Sequence, residues 1–479
     1  ITTFTSTGVF LLAYGKGALT IEQGTSASPR WYPLRLGRAM QGKLSALFPE
    51  DTAGVLAALL TGERSLIPET VSADFNEAGL SHVLAVSGMH CGVLLAFLTR
   101  LTGKGRGRVW TARPILVFYA LLTGCRPSVV RACVMIGFLL IGPLFRRESD
   151  PPTALLTALM LILAQNPFAA ASAGLQLSFA SVAGLLWLTP KLNAGLPKGV
   201  RKPKTFRDCL LWLLRKILQS FCVTAGALVF TIPLMAWRFG TIAIIAPLSN
   251  LLCLPAVWAL FCLGLMSAAA GLVFFPLGGL LAIPAEYLCR WILLVSGWLA
   301  RIPGHAVYLN NPFLKYWLLY TYALFAAACL FRGTPRRRYA LAGALACLTL
   351  VLTVRLGAAR YRSDLDILML DVGQGQSVAL ASRGHFALVD CGSANSWLDP
   401  SAAALKQLRT MGCGALEALI LTHSDSDHVS GVPKLLAQME VKRLLLSGKG
   451  DWAEIRGAAR KYGVQVEVLT EKQEMELGQ

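Results

Sequence analysis

The segment Gly79-Leu-Ser-His-Val-Leu-Ala-Val-Ser-Gly-Met-His-Cys-Gly92 is apolar enough to lie in a membrane, yet it carries His82, Ser87 and His90. In one continuous helix at 100° per residue, these three side chains would occupy an arc of about 140°. Because polar groups in hydrocarbon cost free energy, such a stripe is expected to face protein or water. The alternative is a polar helix contact, in which the glycines permit close packing and the histidines bond neighbouring backbone.

The composition assigns the chain to the polytopic membrane proteins. Of the 479 residues 55% are hydrophobic and only 15% are charged, with a mean hydropathy of +0.56. Soluble proteins are charged at nearer a quarter of their positions. The net charge of +19 gathers in the linkers. Basic linkers indicate the positive-inside rule and anionic lipid, or alternatively a polyanionic substrate.

The 12 cysteines form no Cys-x-x-Cys pair and show no zinc-finger spacing. Most lie inside apolar runs, where a thiol behaves as a small hydrophobe, so we expect no disulfide framework. The chain begins at Ile1 without an initiator methionine or signal peptide and stops at Gln479 within an unfinished pattern, so both ends are expected to be cut.

The first 356 residues divide into three predicted regions. Residues 1–35 alternate short apolar runs with Gly, Ser and Thr, which predicts a small β remnant. Residues 36–70 are predicted to form amphipathic, interfacial helices, beginning with a helix over Pro33–Leu47. Residues 71–356 carry recurring apolar segments, several of them shorter than the roughly 20 residues of a straight span. Short or broken helices at membrane depth line cavities or are buried in protein, so we predict a passage.

An arginine pair lies in the stretch Gly124-Cys-Arg-Pro-Ser-Val-Val-Arg131. A turn followed by a helix starting at Pro127 is predicted there. Arg126 and Arg131 would then lie beside a helix N-terminus, which also attracts anions, so the site suits phosphate. The alternative is two arginines that snorkel to the headgroup layer.

A second polar site lies deeper in the same region. Gln176 and three serines interrupt a membrane-long segment, and Asn250 lies in a helix predicted to break between Pro247 and Pro255. Interhelical hydrogen bonds explain each residue singly, but together they indicate a polar interior. The three serines are Ser172, Ser178 and Ser181.

Residues 364–479 alternate between strand and helix patterns, which indicates an α/β domain. His423-Ser-Asp-Ser-Asp-His428 follows directly after the predicted strand Ala415–Leu421. Two histidines and two aspartates just past a strand end are typical of a metal site, and imidazole with carboxylate suits zinc or manganese. The alternative is a solvated acidic turn.

Six motifs, in this order, resemble those of the ComEC competence family, the inner-membrane DNA-uptake channels of naturally transformable bacteria. The resemblance covers nearly the whole chain from about residue 35 onward. Three motifs belong to the membrane region and three to the metallo-β-lactamase-like domain. They are Gly79–His90, Arg126–Arg131, Leu175–Phe179, Leu370–Gly375, Leu388–Gly392 and Leu421–His428.

The resemblance implies a polytopic α-helical membrane protein with a partial C-terminal α/β metallo-β-lactamase-like domain, residues 1–35 being the remnant of an OB-like DNA-binding domain. One DNA strand would pass to the cytoplasm while the other is degraded. By position His423, Asp425, Asp427 and His428 match the metal ligands, with Asp427 also catalytic, and Asp390 supports them. The residues expected along the DNA path are His82, Ser87, His90, Arg126, Arg131 and Gln176.

The sequence departs from the family pattern in three places. Asp425 stands where the superfamily has a second histidine, and Gln376 stands where the family commonly has Asp. The remaining metal ligands are expected beyond Gln479. Two alternatives therefore stay open: a soluble domain that only binds or gates, and an intramembrane hydrolase that uses Ser87 with His90 or His82.

The expected partners are DNA, the lipid bilayer, a DNA receptor and a cytoplasmic ATPase or helicase, since the sequence contains no Walker motif. The basic residues around the last apolar segment, more numerous before it than after it, place the C-terminal domain outside the cytoplasm of a bacterial inner membrane. Those residues are Arg332, Arg336, Arg337, Arg338, Arg355, Arg360 and Arg362.

Overall fold

A computed structural model describes residues 31–102, 106–141, 150–196, 205–302, 304–308, 312–330, 334–360, 365–395, 398–448 and 450–469. The chain divides into two compact units, Ile1–Leu234 with Ala243–Ala306 and Met235–Ile242 with Val307–Gln479. A mostly helical fold followed by a C-terminal α/β region confirms the predicted fold class. Most of the predicted β remnant, residues 1–30, lies outside the described residues, and from Tyr32 the chain is helical rather than β.

The described residues of the helical region form fifteen α-helices between Tyr32 and Arg360. They are α1 (Tyr32–Leu47), α2 (Glu50–Thr61), α3 (Glu69–Glu77), α4 (Ser81–Leu84), α5 (Gly88–Thr102), α6 (Arg106–Leu122), α7 (Pro127–Ile141), α8 (Pro151–Gln165), α9 (Ala173–Trp187), α10 (Thr189–Ala194), α11 (Phe206–Arg238), α12 (Ala246–Val273), α13 (Phe275–Ala300), α14 (Pro312–Leu330) and α15 (Pro335–Arg360). Two short strands, β1 (Thr241–Ala243) and β2 (Ala306–Tyr308), interrupt them.

Six of the described helical segments are long and apolar enough to cross a membrane. Three further apolar helices, at Ala112–Leu122, Pro127–Leu140 and Pro151–Gln165, are shorter. This mixture confirms the prediction that several apolar segments fall short of a straight span. The six long segments are Ala173–Ala194, Phe206–Arg238, Ala246–Val273, Phe275–Ala300, Phe313–Leu330 and Arg337–Leu356.

The short helix α2 lies in the core of the first unit. Every residue from Thr52 to Thr61 is buried. An all-round buried helix is a core element, so the prediction of interfacial helices throughout residues 36–70 was wrong for α2. α1 is amphipathic, because its buried residues Pro33, Gly37, Met40 and Leu44 follow helical spacing on one face, and its interfacial position stays a prediction.

The segment Gly79–Gly92 does not form one continuous helix. The backbone leaves α4 at Ala85, whose φ of −93° and ψ of 126° are extended, and α5 starts at Gly88. We call residues 85–87 the break. His82 and His90 therefore lie on different helices, and the 140° stripe of a single helix is not formed. Asn250 shows the opposite error, because α12 continues through Pro255 without the predicted break.

The α/β domain is built on one six-stranded sheet in the order β3-β4-β5-β6-β7-β8. The pairs β3-β4 and β4-β5 are antiparallel, whereas β5-β6, β6-β7 and β7-β8 are parallel. The strands are β3 (Asp366–Met369), β4 (Val378–Ser382), β5 (His385–Val389), β6 (Ala415–Leu421), β7 (Glu440–Ser447) and β8 (Gln465–Leu469). The helices between them are α16 (Pro400–Thr410), α17 (Ser426–Val429), α18 (Val432–Gln438) and α19 (Ala453–Tyr462).

The domain core combines sheet and helix side chains of the alternating pattern. Leu388, Leu408, Leu419 and Leu444 are fully buried in one cluster. The register of β5 with β6 places Val389 beside Ile420, so the carboxyl ends of the two strands adjoin. Residues that follow these strands therefore meet at one edge of the sheet.

Candidate functional site

Asp390 is the most firmly held residue of the site at the sheet edge where β5 and β6 end. It follows β5 with a φ of 57°, in the left-handed region, and it is fully buried. Its Oδ1 accepts the Thr422 backbone N–H at 2.8 Å, and its Oδ2 accepts the Thr422 hydroxyl at 2.6 Å. A buried carboxylate with this many donors is held in one orientation.

His428 is oriented by the same carboxylate. Its Nδ1 lies 2.8 Å from Asp390 Oδ2, which assigns the ring proton to Nδ1 and leaves the lone pair on Nε2. Asp427 Oδ2 is 3.8 Å from Nε2, and the rings of His423 and His428 have centroids 5.4 Å apart. Asp425 is exposed and precedes α17.

Backbone hydrogen bonds join three predicted motifs. The Gln376 N–H donates to Asp427 O at 3.0 Å, and the Cys391 N–H donates to His428 O at 2.8 Å. A Cβ on Gly392 would lie 2.3 Å from the His428 backbone nitrogen, so the approach requires glycine. Gln376 thus acts through its main chain, which its departure from the family pattern leaves intact.

The donor chemistry of this edge suits a divalent cation in part. His428 Nε2 has the orientation that a metal ligand needs, and carboxylates lie beside it. Among the residues that the structure describes, however, no three His, Cys, Asp or Glu side chains come close enough to hold a metal ion. The predicted zinc or manganese site is therefore an oriented histidine with neighbours, not a closed ligand cluster.

In the first unit, which we call the membrane unit, Ser87 and His90 cap α5. The Ser87 N–H donates to His90 Nδ1 at 3.0 Å, so the side chain of the third helical residue accepts the N-cap N–H, as in a capping box. His90 is 1% exposed, and its ring centroid is 5.2 Å from that of Phe261. His82 lies on α4 and is exposed. The His90 imidazole bonds main chain of its own segment, as the packing alternative expects.

The same geometry bears on the hydrolase alternative. Ser87 Oγ is 3.3 Å from His90 Nδ1, but that lone pair already accepts the Ser87 N–H. Within the described ranges, His90 Nε2 is buried without any hydrogen-bond partner, so no acid orients the ring as a general base requires.

The arginine pair follows the predicted turn, and α7 begins at Pro127 as expected. Gly124 and Cys125 have φ values of 72° and 53°. Arg131 is 6% exposed and donates through Nη2 to Gly174 O at 3.0 Å, so it does not snorkel. Arg126 is exposed, and its Nε would lie 2.5 Å from a Cβ on Gly62.

The two predicted polar sites of the membrane unit adjoin. Arg131 bonds the backbone two residues before Gln176, whose Nε2 donates to Ala170 O at 2.9 Å. Ser128 Oγ donates to Val86 O at 2.5 Å, which ties α7 to the break. Asn250 Nδ2 reaches Thr224 Oγ1 at 3.4 Å.

Three functional candidates were missed by the sequence predictions. Thr422 bonds Asp390, Ser128 bonds the break, and Arg64 Nε donates to Leu84 O at 3.1 Å. Thr422 and Ser128 lie inside the motifs Leu421–His428 and Arg126–Arg131, next to predicted site residues, so the sequence could have identified them. Arg64 carried no signal beyond a charge in a loop, because only the tertiary fold brings it to Leu84.

The competence protein profile matches residues 59–334, more than half of the chain. The chain belongs to the competence protein family. The metallo-beta-lactamase superfamily profile matches residues 370–458. Ser87, His90 and Arg131 lie in the first range, and Asp390 and His428 lie in the second. Together with the six long apolar helices, this makes the chain a multi-pass membrane protein of the competence family with a metallo-β-lactamase-like domain.

Curated relatives agree with this assignment. ComE operon protein 3 of Bacillus subtilis is 28% identical over 451 residues, which cover 88% of this chain and 55% of the relative. Competence protein ComA of Neisseria gonorrhoeae is 28% identical over 406 residues, 80% of this chain and 52% of the relative. Recombination protein 2 of Haemophilus influenzae is 25% identical over 442 residues, 84% and 54% respectively. The chain spans about half the length of these relatives.

Proposed function

We propose that this competence-family chain is part of an inner-membrane channel that takes up single-stranded DNA during natural transformation. The observation that carries the proposal is Arg131. It is buried between α7 and the start of α9, and no carboxylate of the described residues pairs with it. Its Nε is buried without a hydrogen-bond partner. A desolvated cation of this kind needs an anion, and a phosphodiester supplies one.

Three further features support DNA as the substrate. The net charge of +19 suits a polyanion. Arg126 lies five residues before Arg131, directly before α7, and a guanidinium binds phosphate oxygens in a bidentate manner. The matching family model and one relative carry competence in their names. Ser87 and His90 hold the break beside the arginines, and Gln176 completes this part of the path.

The soluble domain is proposed to hydrolyse the strand that is not transported. His423, Asp425, Asp427 and His428 would hold a divalent metal, zinc or manganese, which supplies Lewis-acid chemistry for phosphodiester hydrolysis when bound. The contribution of this chain is orientation: Asp390 keeps the proton on His428 Nδ1, and Asp427 lies beside Nε2.

A soluble domain that binds or gates without hydrolysis is the second candidate. The observation in its favour is the lack of three convergent metal donors in the described part of the chain. The intramembrane serine hydrolase has no comparable support, because His90 is used as a helix cap.

The proposed location is a bacterial inner membrane, with the C-terminal domain on the outer side. The proposed partners are a DNA receptor and a cytoplasmic ATPase or helicase. Four arginines lie before or at the start of α15 and three lie at its end or after it, and this difference supports the orientation.

The test compares Arg131→Gln, Arg131→Lys and the control Arg290→Gln in transformable cells that carry the full-length protein. Arg290 pairs with Glu286 on the exposed surface of α13 at 2.6 Å, so its loss removes one cation away from the break. We expect Arg131→Gln to lower the arrival of labelled DNA in the cytosol at least about tenfold at matched membrane levels, since a phosphate contact is worth more than about 1.4 kcal/mol. Arg131→Lys should retain part of the uptake. Unchanged uptake in Arg131→Gln would remove Arg131 from the path and contradict the proposal.

A further inference from the structure

A polar cavity of about 370 Å³ opens beside the break in the first unit. Sites for small ligands occupy about 300–1,000 Å³, so the cavity has room for one nucleotide unit. Leu84, the last residue of α4, forms part of its wall. Its polar lining residues are Arg64, Ser65, Glu69, Ser72, Asn76 and Ser81.

Arg64 is fixed at the edge of this cavity. Its Nε donates to Leu84 O at 3.1 Å, which leaves the two terminal nitrogens pointing away from that bond. Neither terminal nitrogen has a hydrogen-bond partner among the residues described by the structure. A guanidinium that is held by Nε alone presents two parallel donors, the geometry that binds phosphate oxygens.

Arg126 lies close to the loop that carries Arg64, because its Nε would be 2.5 Å from a Cβ on Gly62. Burial lowers the pKa of Arg64, and the charge of Arg126 lowers it further, although Arg64 keeps exposed surface. Two cations that repel each other are stabilised by an anion between them. Glu63 offsets part of this charge, but its Oε1 accepts the Ser65 N–H at 3.1 Å within its own loop.

The other lining groups limit the ligand. The Glu69 carboxylate repels additional negative charge, so a group with one phosphate is favoured over a polyphosphate. The Ser81 hydroxyl donates to Asn76 Oδ1, and the Ser72 hydroxyl and the Asn76 amide nitrogen are groups of the kind that bond sugars and base edges. The cavity therefore suits one nucleotide unit of a strand rather than a free nucleoside triphosphate.

We propose that this cavity binds one nucleotide unit of the DNA strand, with its phosphate on Arg64. The inference rests on the proposed DNA-uptake function and adds a binding site to it. Arg64 then adds one phosphate contact to those proposed for Arg126 and Arg131.

The experiment measures binding of a labelled single-stranded DNA oligonucleotide to the full chain in lipid nanodiscs over a range of salt concentrations. Arg64→Gln should weaken binding about tenfold and reduce the slope of log affinity against log salt by about 0.7, since one phosphate contact is lost. Arg64→Lys should keep most of the slope. The matched control is Arg38→Gln, which removes an exposed cation on α1.

Ser72→Trp fills the cavity and leaves the bond between Arg64 and Leu84 in place, so it tests the site even where Arg64→Gln impairs folding. It should also weaken binding about tenfold, with thermal unfolding unchanged. If Arg64→Gln and Ser72→Trp both bind like Arg38→Gln with the same salt slope, this inference is overturned while the proposed function stands. If the unsubstituted chain binds no oligonucleotide, the proposed function itself fails.

Discussion

Asp390 Oδ2 and His428 Nδ1 lie 2.8 Å apart, so a fully buried carboxylate fixes the ring proton of an imidazole that is 20% exposed. Thr422 holds the same carboxylate through its backbone N–H and its hydroxyl. The pair joins the end of β5 to the loop after β6, and it turns His428 Nε2 outward as a free lone pair.

Asp390→Asn tests this relationship. An amide offers only one acceptor oxygen, so Thr422 and His428 compete for it and the orientation of His428 is lost. We expect the affinity for Zn²⁺ or Mn²⁺, each titrated alone into the full chain by calorimetry, to fall about 10–100-fold. Glu440→Gln removes an exposed carboxylate at the start of β7 and serves as the control. An equal affinity in Asp390→Asn and Glu440→Gln would show that Asp390 does not orient His428 for a metal.

Gly392→Ala tests the close contact of the motif loops. The new Cβ would meet the His428 backbone at 2.3 Å, and main chain cannot move aside as a flexible side chain does. We expect at least about 3 kcal/mol of destabilisation of the α/β domain. Gly414→Ala is the matched control, because no atom lies within 4 Å of its Cβ position, and it should change stability by less than about 0.5 kcal/mol. Equal midpoints of thermal unfolding would show that the loops are not packed as described.

Ser87→Ala separates a helix cap from a nucleophile. The bond to His90 Nδ1 comes from the Ser87 backbone N–H, which alanine keeps. DNA uptake should therefore stay within about twofold of that of the unsubstituted protein. Alanine removes only the long contact of 3.3 Å between Ser87 Oγ and His90 Nδ1, and the loss of such a contact costs little free energy. His90→Ala removes the acceptor and should reduce both stability and uptake. A complete loss of uptake in Ser87→Ala would favour the hydrolase.

Asp399→Asn tests the N-cap of α16 as a function of pH. Burial acts to raise the pKa of Asp399, but hydrogen bonds from Ser401 and Ala402 and the Lys434 ammonium outweigh it and hold the pKa below its ordinary value of 3.8. A depressed folded-state pKa stabilises the domain above pH 3.8, and that stabilisation is lost as the pH falls through the folded-state pKa. The unfolding midpoint of Asp399→Asn should therefore lie below that of the unsubstituted chain at pH 7. The difference should shrink as the pH drops below 3.8, and a constant difference would contradict this assignment.

The sequence predicted the α/β domain closely. The predicted strand Ala415–Leu421 matches β6 residue for residue, and the metal motif lies directly after it as expected. The strands and helices of this domain are short and bounded by turn residues. Their patterns of apolar and polar residues are local, so the periodicity of the sequence identifies them. The bond between Asp390 and His428 joins residues 38 apart, and only the parallel register of β5 and β6 brings them together.

The membrane unit was predicted less well. Uniform apolarity hides where helices stop, so the break at Ala85–Ser87 and the continuity of α12 through Pro255 were both misjudged. A proline inside a helix is tolerated where neighbours satisfy the freed carbonyl, and sequence does not reveal those neighbours. The burial of α2 had the same cause, since part of its surroundings comes from α12 and α13, which lie far along the chain.

The bond from the Gln376 amide to the Asp427 carbonyl has a consequence for how this position can vary. Nineteen of the twenty amino acids carry the hydrogen that this contact uses, so a polar, acidic or small residue there leaves the loop in place. Proline alone lacks it. The amino acid at this position can therefore change while the backbone hydrogen bond is kept. A mismatch to a motif at such a position does not show that the loop fails to form.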